Sequence, residues 1–235
     1  MTIFCGAGSF AAPQPPDQSQ TPPPKDTKAN EAPRKGEITY VPPDLGAPAV
    51  RVSGGTRGTA DAGLSLDVLA PNQTGLTTQE QPTLYWYISR SVRADIRLSI
   101  VADTSNNTVL DVKVPGGATA GIHAFSLKGT RVHLALNTDY QWSVTAVQSR
   151  DPSGDIVATG MIRRVHGSTL DRELRATSEA AATYARSGLW YDALQALSEA
   201  IRARPNDLSL QYQRSALLHQ VGLAVPTTQD RSALP

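Results

Sequence analysis

The sequence predicts a two-layer antiparallel β-sandwich followed by a small α-helical subdomain. Apolar residues alternate with period two between Leu64 and Val165, and turn residues recur about every 8–12 positions. After Gly167 the apolar period changes to 3.6. Ahead of both regions, 10 of the 17 prolines fall between Pro13 and Pro48. The 235-residue chain, 40% hydrophobic, can therefore build a sizeable core only in its C-terminal four fifths.

Residues 1–11 are interpreted as the remnant of an export signal. They are apolar or small, and Ser9-Phe10-Ala11 fits a small-residue cleavage site, so we expect the true start of the signal upstream of Met1. The alternative is an ordinary flexible terminus. Cys5 is the only cysteine, so no intramolecular disulfide is expected. Cys5 is a poor lipid-anchor site, because Phe4 stands where lipoprotein signals require a small residue.

Residues 12–48 are predicted to form a disordered, proline-rich linker. The segment has almost no large apolar side chain, and burial cannot offset the entropy of ordering it. The linker would provide reach, although a proline-rich ligand for a docking domain is an alternative.

Residues 49–166 are predicted to form the sandwich, with about eight short strands and no helical pattern among them. In the third strand, Ala94, Ile96, Leu98 and Ile100 alternate with more polar neighbours, and Asn106-Asn107 supplies a tight turn to the next strand. The predicted strands are 64–69, 83–89, 94–101, 108–114, 121–127, 131–136, 140–148 and 155–165.

One spacing in this region resembles a known corner motif. Leu136 precedes Tyr140 by four residues, and Tyr140, Trp142, Val144 and Ala146 then share a strand face. In the tyrosine corner of immunoglobulin and fibronectin type III sandwiches, the tyrosine hydroxyl bonds back to the chain just upstream. The resemblance implies an immunoglobulin/fibronectin III-like fold, and the lack of a cysteine pair favours the fibronectin-like variant.

The segment 83–89 carries three adjacent aromatic residues. Alternation places Trp86 with Leu84 and Ile88 on one face, which we assign to the core, and Tyr85 and Tyr87 on the other. Those two tyrosines either form a binding platform for a partner or a sugar, or lie under the C-terminal helices. We favour the second alternative.

Residues 167–223 are predicted to contain three helices, and residues 224–235 a disordered tail. The first helix follows a cap at Ser168 or Thr169 and ends at Gly188. The second presents Trp190, Leu194, Leu197 and Ile201 on one face and ends before Pro205. The third, capped by Asn206 or Asp207, runs through Leu210, Leu217 and Leu218 to Gly222.

The first two helices resemble one tetratricopeptide repeat. Ala181, Tyr184, Gly188, Trp190 and Pro205 occupy positions where such repeats favour small, aromatic or turn residues, whereas Thr177 departs from the pattern. A single repeat cannot bury its own apolar face. We therefore expect the helices to dock on the sandwich or on another molecule.

The order of these segments is similar to that of a largely cyanobacterial family known only as domain of unknown function 928 (DUF928). The resemblance rests on "GGTRG" at 54–58, "LAPNQTGLTTQEQPTLYWYIS" at 69–89, "NTDYQWSV" at 137–144 and "YARSGLWYDALQAL" at 184–197. It implies that the protein is exported, with a signal peptide that precedes a proline-rich spacer. It transfers no catalytic residue, and this chain has no cysteine in the sandwich, where the family often has them.

Few residues suggest chemistry. The four histidines lack metal-ligand spacing, no nucleophile elbow is present, and we predict no catalytic residue, cofactor or metal. With 22 Lys and Arg against 21 Asp and Glu and no basic block, we expect no nucleic-acid partner. No apolar run is long enough for a transmembrane segment.

We therefore predict a non-catalytic, extracytoplasmic module that binds a protein. The candidate anchors are Tyr85, Tyr87, Trp190 and Tyr191, with packing between helices and sheet as the alternative, which we favour for Trp190. Two other functions stay open. One is an enzyme acting on envelope polysaccharide, and the other is a structural envelope component that assembles through a sheet edge.

Overall fold

The fold is described from a computed structural model. It describes residues 1, 38–45, 51–55, 64–102, 107–116, 118–147, 154–167 and 180–226. Apart from Met1, all of these residues belong to one compact unit spanning 33–235. The predicted signal remnant beyond Met1, most of the predicted linker, the start of the first predicted helix and most of the predicted tail lie outside the described residues.

Nine strands form two sheets in the described part of the chain. The strands are β1 Gly54–Gly55, β2 Ser65–Val68, β3 Gly75–Thr77, β4 Thr83–Ile88, β5 Asp95–Ala102, β6 Asn107–Val114, β7 Gly121–Ser126, β8 Asp139–Val147 and β9 Ile156–Arg164. One sheet has the order β1-β2-β4-β7, and the other β3-β9-β8-β5-β6. The sheets face each other closely: a Cβ built on Gly160 of β9 would lie 3.2 Å from the Val68 side chain of β2.

Alternation along the long strands sets which side chains enter the core. Ile96, Leu98 and Ile100 of β5 are buried, and β8 pairs with β5 so that Leu98 lies opposite Val144 and Ile100 opposite Trp142. Trp86 and Trp142 are at most 1% exposed, which confirms the core position predicted for Trp86. The period-two pattern thus places one side chain in two in the sandwich interior.

The prediction of purely antiparallel sheets is wrong at β3. This three-residue strand pairs with β9 in parallel, with Leu76 opposite Arg163. Further along β9, Val52 forms an isolated antiparallel bridge with Thr159. Strand β3 escaped prediction because three residues are too few to show alternation, and together the two short pairings cover an edge of β9 that would otherwise lack a partner.

Residues 131–136 do not form the predicted strand. Only Leu136 makes a bridge, to Arg164. The backbone of this segment bonds elsewhere: the Gln81 side-chain amide donates to the carbonyls of Thr130 and Val132, and the Leu134 N–H donates to the Glu80 carbonyl. Alternating apolar residues predicted a strand here, but a side chain and a single backbone carbonyl bond to this segment in place of a strand ladder.

The predicted tyrosine corner is present. The Ala135 N–H donates to the Tyr140 hydroxyl at 3.1 Å, just upstream of the start of β8. Asn137 turns the chain with φ of 55°. This corner and the two packed sheets are the arrangement of an immunoglobulin/fibronectin III-like sandwich.

Three helices follow the sandwich in the described residues: α1 Ala180–Arg186, α2 Trp190–Ala203 and α3 Leu208–Gln220. Gly188, which ends the first helical segment, has φ of +75°, as its predicted role requires. Asp207 caps α3 by accepting from the Ser209 N–H, which confirms one of the two predicted caps.

Residues 38–45, here called the N-terminal strap, are packed against the helices. Ile38 is 1% exposed and Tyr40 8%. The Gln220 side chain of α3 donates to the Ile38 carbonyl and accepts from the Tyr40 N–H, and the Val41 N–H donates to the Ala185 carbonyl at the end of α1. The prediction of a disordered linker through residue 48 is therefore wrong for this segment, because Ile38 and Tyr40 supply apolar surface to bury.

Candidate functional site

The helices meet the sandwich at a buried contact that we call the helix–sandwich seam. It consists of the first turn of α2 (Trp190, Tyr191 and Asp192), the strand β3 with Thr78 after it, and Leu69. All four predicted anchors are buried, with exposed fractions of 2% for Tyr85, 4% for Tyr87, 0% for Trp190 and 1% for Tyr191. None of these rings is offered to solvent, so their positions support the packing alternative.

Trp190 fixes the start of α2 to the sandwich. Its indole N–H donates to the Leu69 carbonyl at 2.9 Å. The Tyr40 ring of the N-terminal strap packs against the indole in a T-shaped arrangement, with ring centroids 4.9 Å apart. Trp190 therefore joins three parts of the chain through one side chain.

Tyr191 bridges the two neighbouring strands β8 and β9. Its hydroxyl accepts from the Trp142 indole N–H at 2.8 Å and donates to the Met161 carbonyl at 2.9 Å. Burial raises the pKa of this phenol well above its usual range. A Cβ on Gly75 would lie 2.6 Å from the ring, so a larger residue at that position would require β3 or the ring to shift.

Asp192 is a carboxylate buried at the seam, with 4% of its surface exposed. One oxygen accepts from the Thr78 N–H at 2.8 Å, and the other from the hydroxyls of Thr77 and Thr78 at 3.4 and 3.3 Å. Burial raises the pKa of Asp192 to about 6, although these donors pull it down. The carboxylate also lies in the first turn of α2, where the helix dipole favours negative charge.

Tyr85 lies beneath α2 and α3. Burial raises the pKa of its hydroxyl, and Ser198 of α2 hydrogen-bonds to that hydroxyl. The Ser198 hydroxyl also donates to the Leu194 carbonyl at 2.8 Å, and Arg214 of α3 reaches it at 3.5 Å. Arg214 is 1% exposed, and burial lowers the pKa of its guanidinium to about 10, so the group is still a cation at neutral pH.

Tyr87 points to the same sheet face as Tyr85 but lies opposite Asp67 of β2 and Ile122 of β7. Burial raises its pKa, and the Asp67 carboxylate raises it further. On the core face, His123 stacks on Trp86 with ring centroids 5.4 Å apart. Burial lowers the pKa of His123, which favours the neutral imidazole.

The structure thus brings Trp190 and Tyr191 together at the seam, puts Tyr85 under the helices and places Tyr87 elsewhere on the sheet. The sequence analysis missed the buried polar residues Asp192 and Arg214. The signal for Asp192 was its position directly after Trp190-Tyr191 at the start of a helix. Arg214 carried no such signal, because charged residues in helices are ordinarily exposed.

A groove of about 410 Å³ opens beside the seam. Asp192, Glu199, Lys128 and Tyr184 are among the residues that line it. Asp192 and Glu199 are seven residues apart on one helix, a rise of about 10 Å along the axis. The groove therefore has two acidic residues and a lysine among its lining residues.

A second groove, of about 460 Å³, runs between the N-terminal strap and the outer face of α3. Its lining residues are Ile38, Thr39, Tyr212, Ser215, Ala216, His219 and Gln220. Leu208 and Tyr212 on this face are 53% and 66% exposed. We call Leu208, Tyr212, Ser215, Ala216 and His219 the α3 outer face. It faces away from the buried side of the helix, which carries Leu210, Leu217 and Leu218.

Neither a metal centre nor a membrane-spanning helix is found among the described residues. No group of three or more His, Cys, Asp and Glu residues in these ranges is placed to hold a metal ion. None of the described helices is long and apolar enough to cross a membrane.

The chain matches the model of a known family. The model of the family described as Domain of Unknown Function (DUF928) matches residues 52–230. The match spans the sandwich and all three helices, so it covers both sides of the seam. None of the curated protein sequences compared with the chain is significantly similar to it.

Among solved structures, the fn3 domain of the human collagen alpha-1(XX) chain matches with 17% identity and a TM-score of 0.28, covering 50% of this chain and 93% of that domain. A Bacteroides vulgatus protein of the DUF3244 family, described as having an immunoglobulin-like β-sandwich fold, matches with 14% identity and a TM-score of 0.26, covering 48% and 98%. With TM-scores this low, the assignment of the fold stands on the strand order and register described above.

Proposed function

The chain belongs to the DUF928 family, and because that membership assigns no activity, we propose from the geometry that the protein is a non-catalytic protein-interaction module. Its docking surface is the α3 outer face together with the neighbouring groove. The partner contributes an apolar helix that lies along α3.

The exposure of the α3 outer face is the observation that carries this proposal. Tyr212 is the most exposed of the described tyrosines at 66%, and Leu208, one helical turn before it, is 53% exposed. Residues four apart lie on the same side of a helix, so the two side chains form one apolar strip. Aromatic side chains that become desolvated on binding contribute much of an interface's energy.

The helical arrangement supports a helix as the occupant. In this proposal, α1 and α2 act as one tetratricopeptide-like repeat and α3 as the first helix of an incomplete second repeat. In a longer array the next helix packs against the outer face of such a helix. Here that place is open to a helix from a partner.

We place the module outside the cytoplasm, at the end of a proline-rich spacer. The support is the small-residue pattern at Ser9-Phe10-Ala11 and the proline-rich segment that follows it. A spacer of this composition extends a binding domain away from its point of attachment.

Pull-down from envelope extract with the full chain tests the proposal. The full chain is required because Ile38 and Thr39 line the groove. Tyr212→Lys should lose a protein that the wild type retains. Val157→Lys is the matched control, because Val157 is an apolar residue of the sandwich with 41% exposure. Equal recovery by both variants, or recovery of no protein by the wild type, would count against docking at α3.

The groove beside the seam favours hydrolysis of a polysaccharide as a second candidate function. A carboxyl group with pKa near 6 and a second acid in one groove are the groups that a glycosidase uses. Against this, Thr77 and Thr78 already occupy both oxygens of Asp192. Release of reducing ends from envelope polysaccharide by the wild type, abolished in Glu199→Gln, would establish the enzyme and displace the first proposal.

A further inference from the structure

Strand β6 forms one edge of the five-stranded sheet. It runs for eight residues, Asn107–Val114, and pairs with β5 on one side only within the part of the chain that the structure describes. At the opposite edge of the same sheet, β3 and Val52 cover β9. The long edge strand β6 therefore has unpaired backbone groups with which another strand can form hydrogen bonds.

The two faces of β6 differ in chemistry. Leu110, Val112 and Val114 lie opposite the core residues of β5 and are only half-buried. On the solvent face, Lys113 lies directly opposite Arg97, and Asp111 opposite Ser99. Like charges directly opposite each other destabilise a sheet.

Diagonal ion pairs only partly relieve this repulsion. Arg97 bonds to Asp111 at 2.7 Å and Lys113 to Asp95 at 2.8 Å, and all four side chains are about half exposed. Exposed pairs of this kind contribute little stability. An acidic side chain placed opposite Lys113 on the open side of β6 would offset the repulsion between Lys113 and Arg97.

A second copy of β6 supplies that acid when it pairs antiparallel about a two-fold axis at Val112. In this register Asp111 of each copy faces Lys113 of the other, and Leu110 faces Val114. Apolar residues then meet on the core-facing side and opposite charges on the solvent side. Pro115 has no N–H and ends the ladder after Val114.

The neighbouring registers are unfavourable. A shift by two positions in one direction puts Asp111 opposite Asp111, and in the other direction Lys113 opposite Lys113. A shift by one position sets core-facing side chains against solvent-facing ones. A lysine on an edge strand ordinarily prevents pairing, whereas here it selects a single arrangement.

We propose that the protein forms a symmetric dimer through β6, with the two five-stranded sheets joined into one continuous sheet and the two-fold axis at Val112. The partner at this edge is a second copy of the chain. This surface is separate from the α3 outer face, so the dimer does not depend on the proposed docking of a partner helix.

Charge exchange tests the pairing by sedimentation equilibrium on the full chain. Asp111→Lys makes the edge wholly positive and Lys113→Asp makes it wholly negative, and each should weaken self-association about tenfold or more, because two cross-strand pairs change sign together. An equimolar mixture of the two variants should associate again as a heterodimer. Circular dichroism checks that both remain folded, since the substituted side chains are exposed.

Cysteine cross-linking tests the register independently, in a Cys5→Ser background. Val112→Cys lies on the axis and should form an intermolecular disulfide under mild oxidation. Leu110→Cys and Val114→Cys should each fail alone, because the paired positions lie about four residues, roughly 13 Å, apart. Mixed together, these two should cross-link.

A wild-type chain that remains monomeric at high micromolar concentration would overturn the proposal. So would a dimer whose affinity is unchanged in both charge variants and whose Val112→Cys form does not cross-link. If the protein dimerises but no partner docks on the α3 outer face, only the proposed function is refuted.

Discussion

The helix–sandwich seam and the rim, by which we mean the α3 outer face and the β6 edge, use their side chains in opposite ways. At the seam, the indole of Trp190, the hydroxyl of Tyr191 and the carboxylate of Asp192 are at most 4% exposed, and each has a hydrogen-bond partner on the sandwich. At the rim, the α3 outer face and the β6 edge expose Tyr212, Asp111 and Lys113.

The difference teaches that a conspicuous cluster of aromatic residues can lie buried in the contact between two parts of a protein and leave little of its surface exposed. Tryptophan and tyrosine bury large surfaces and bring one polar group each, which suits a contact between a helix and a sheet edge. The exposed surfaces lie instead on α3 and β6, whose sequences contain no conspicuous motif. Substitutions at the seam should therefore change stability, and substitutions at the rim should change association.

The largest effect is expected from Trp190→Ala. The variant removes a fully buried indole that contacts Tyr40 and Leu69, and it should lower the free energy of unfolding by about 4 kcal/mol. Urea denaturation followed by circular dichroism measures this. Tyr212→Ala, at an exposed ring, should change stability by less than about 0.5 kcal/mol. Similar losses in the two variants would erase the contrast between seam and rim.

Asp192 should make stability depend on pH. Its pKa rises from 3.8, the value of an unperturbed aspartate, to about 6 in the folded protein, so the folded state holds the proton more tightly than the unfolded state. The contribution of Asp192 to the free energy of unfolding is therefore largest below about pH 4. It is lost as the pH rises through about 6, a change of about 3 kcal/mol at most.

Asp192→Asn should remove that slope from denaturation curves recorded between pH 4 and 7. Glu199→Gln, which replaces an exposed carboxylate on the same helix, should keep the wild-type slope. A slope that persists in Asp192→Asn would assign the titration to another group.

Gly75→Ala tests the seam from the side of the sheet, at the contact between β3 and Tyr191. The added methyl group would lie 2.6 Å from the Tyr191 ring, so we expect a loss of about 2 kcal/mol. Combining it with Tyr191→Leu, which removes the contacted ring atom, should cost less than the sum of the two single changes. Additive losses measured by thermal unfolding would show that the clash is elsewhere.

The smallest effect is expected from Tyr191→Phe. The ring stays, but the Trp142 N–H and the Met161 carbonyl lose their buried partner, which should cost about 1–2 kcal/mol. Tyr212→Phe is the control at an exposed hydroxyl. If differential scanning calorimetry gives equal melting temperatures for both variants, the bridge formed by Tyr191 has no energetic role.

Much of the fold could be predicted because its long elements carry complete patterns. Eight-residue β5 and nine-residue β8 alternate clearly, Tyr140 marks the corner, and Gly188 and Asp207 mark helix ends. The parallel strand β3 and the N-terminal strap escaped prediction, since three residues show no period and a proline-rich context conceals Ile38 and Tyr40.

The candidate site could be predicted only in part, because the spacing of nearby residues does not show which distant segments come into contact. Two of the segments that carry the family resemblance, around Gly75 and around Trp190, touch each other through Gly75–Tyr191 and Thr78–Asp192. These two segments form part of the contact through which the helices dock on the sandwich. The exposed faces lie outside those segments, and their positions required the structure.

The N-terminal strap has a mechanical consequence. The segment ahead of residue 38 is joined to the helices through Ile38, Tyr40 and Val41. Tension applied along the spacer would therefore load the Tyr40–Trp190 and Gln220 contacts before it reached the strands of the sandwich. A tether attached upstream would therefore load the helices before the sheets.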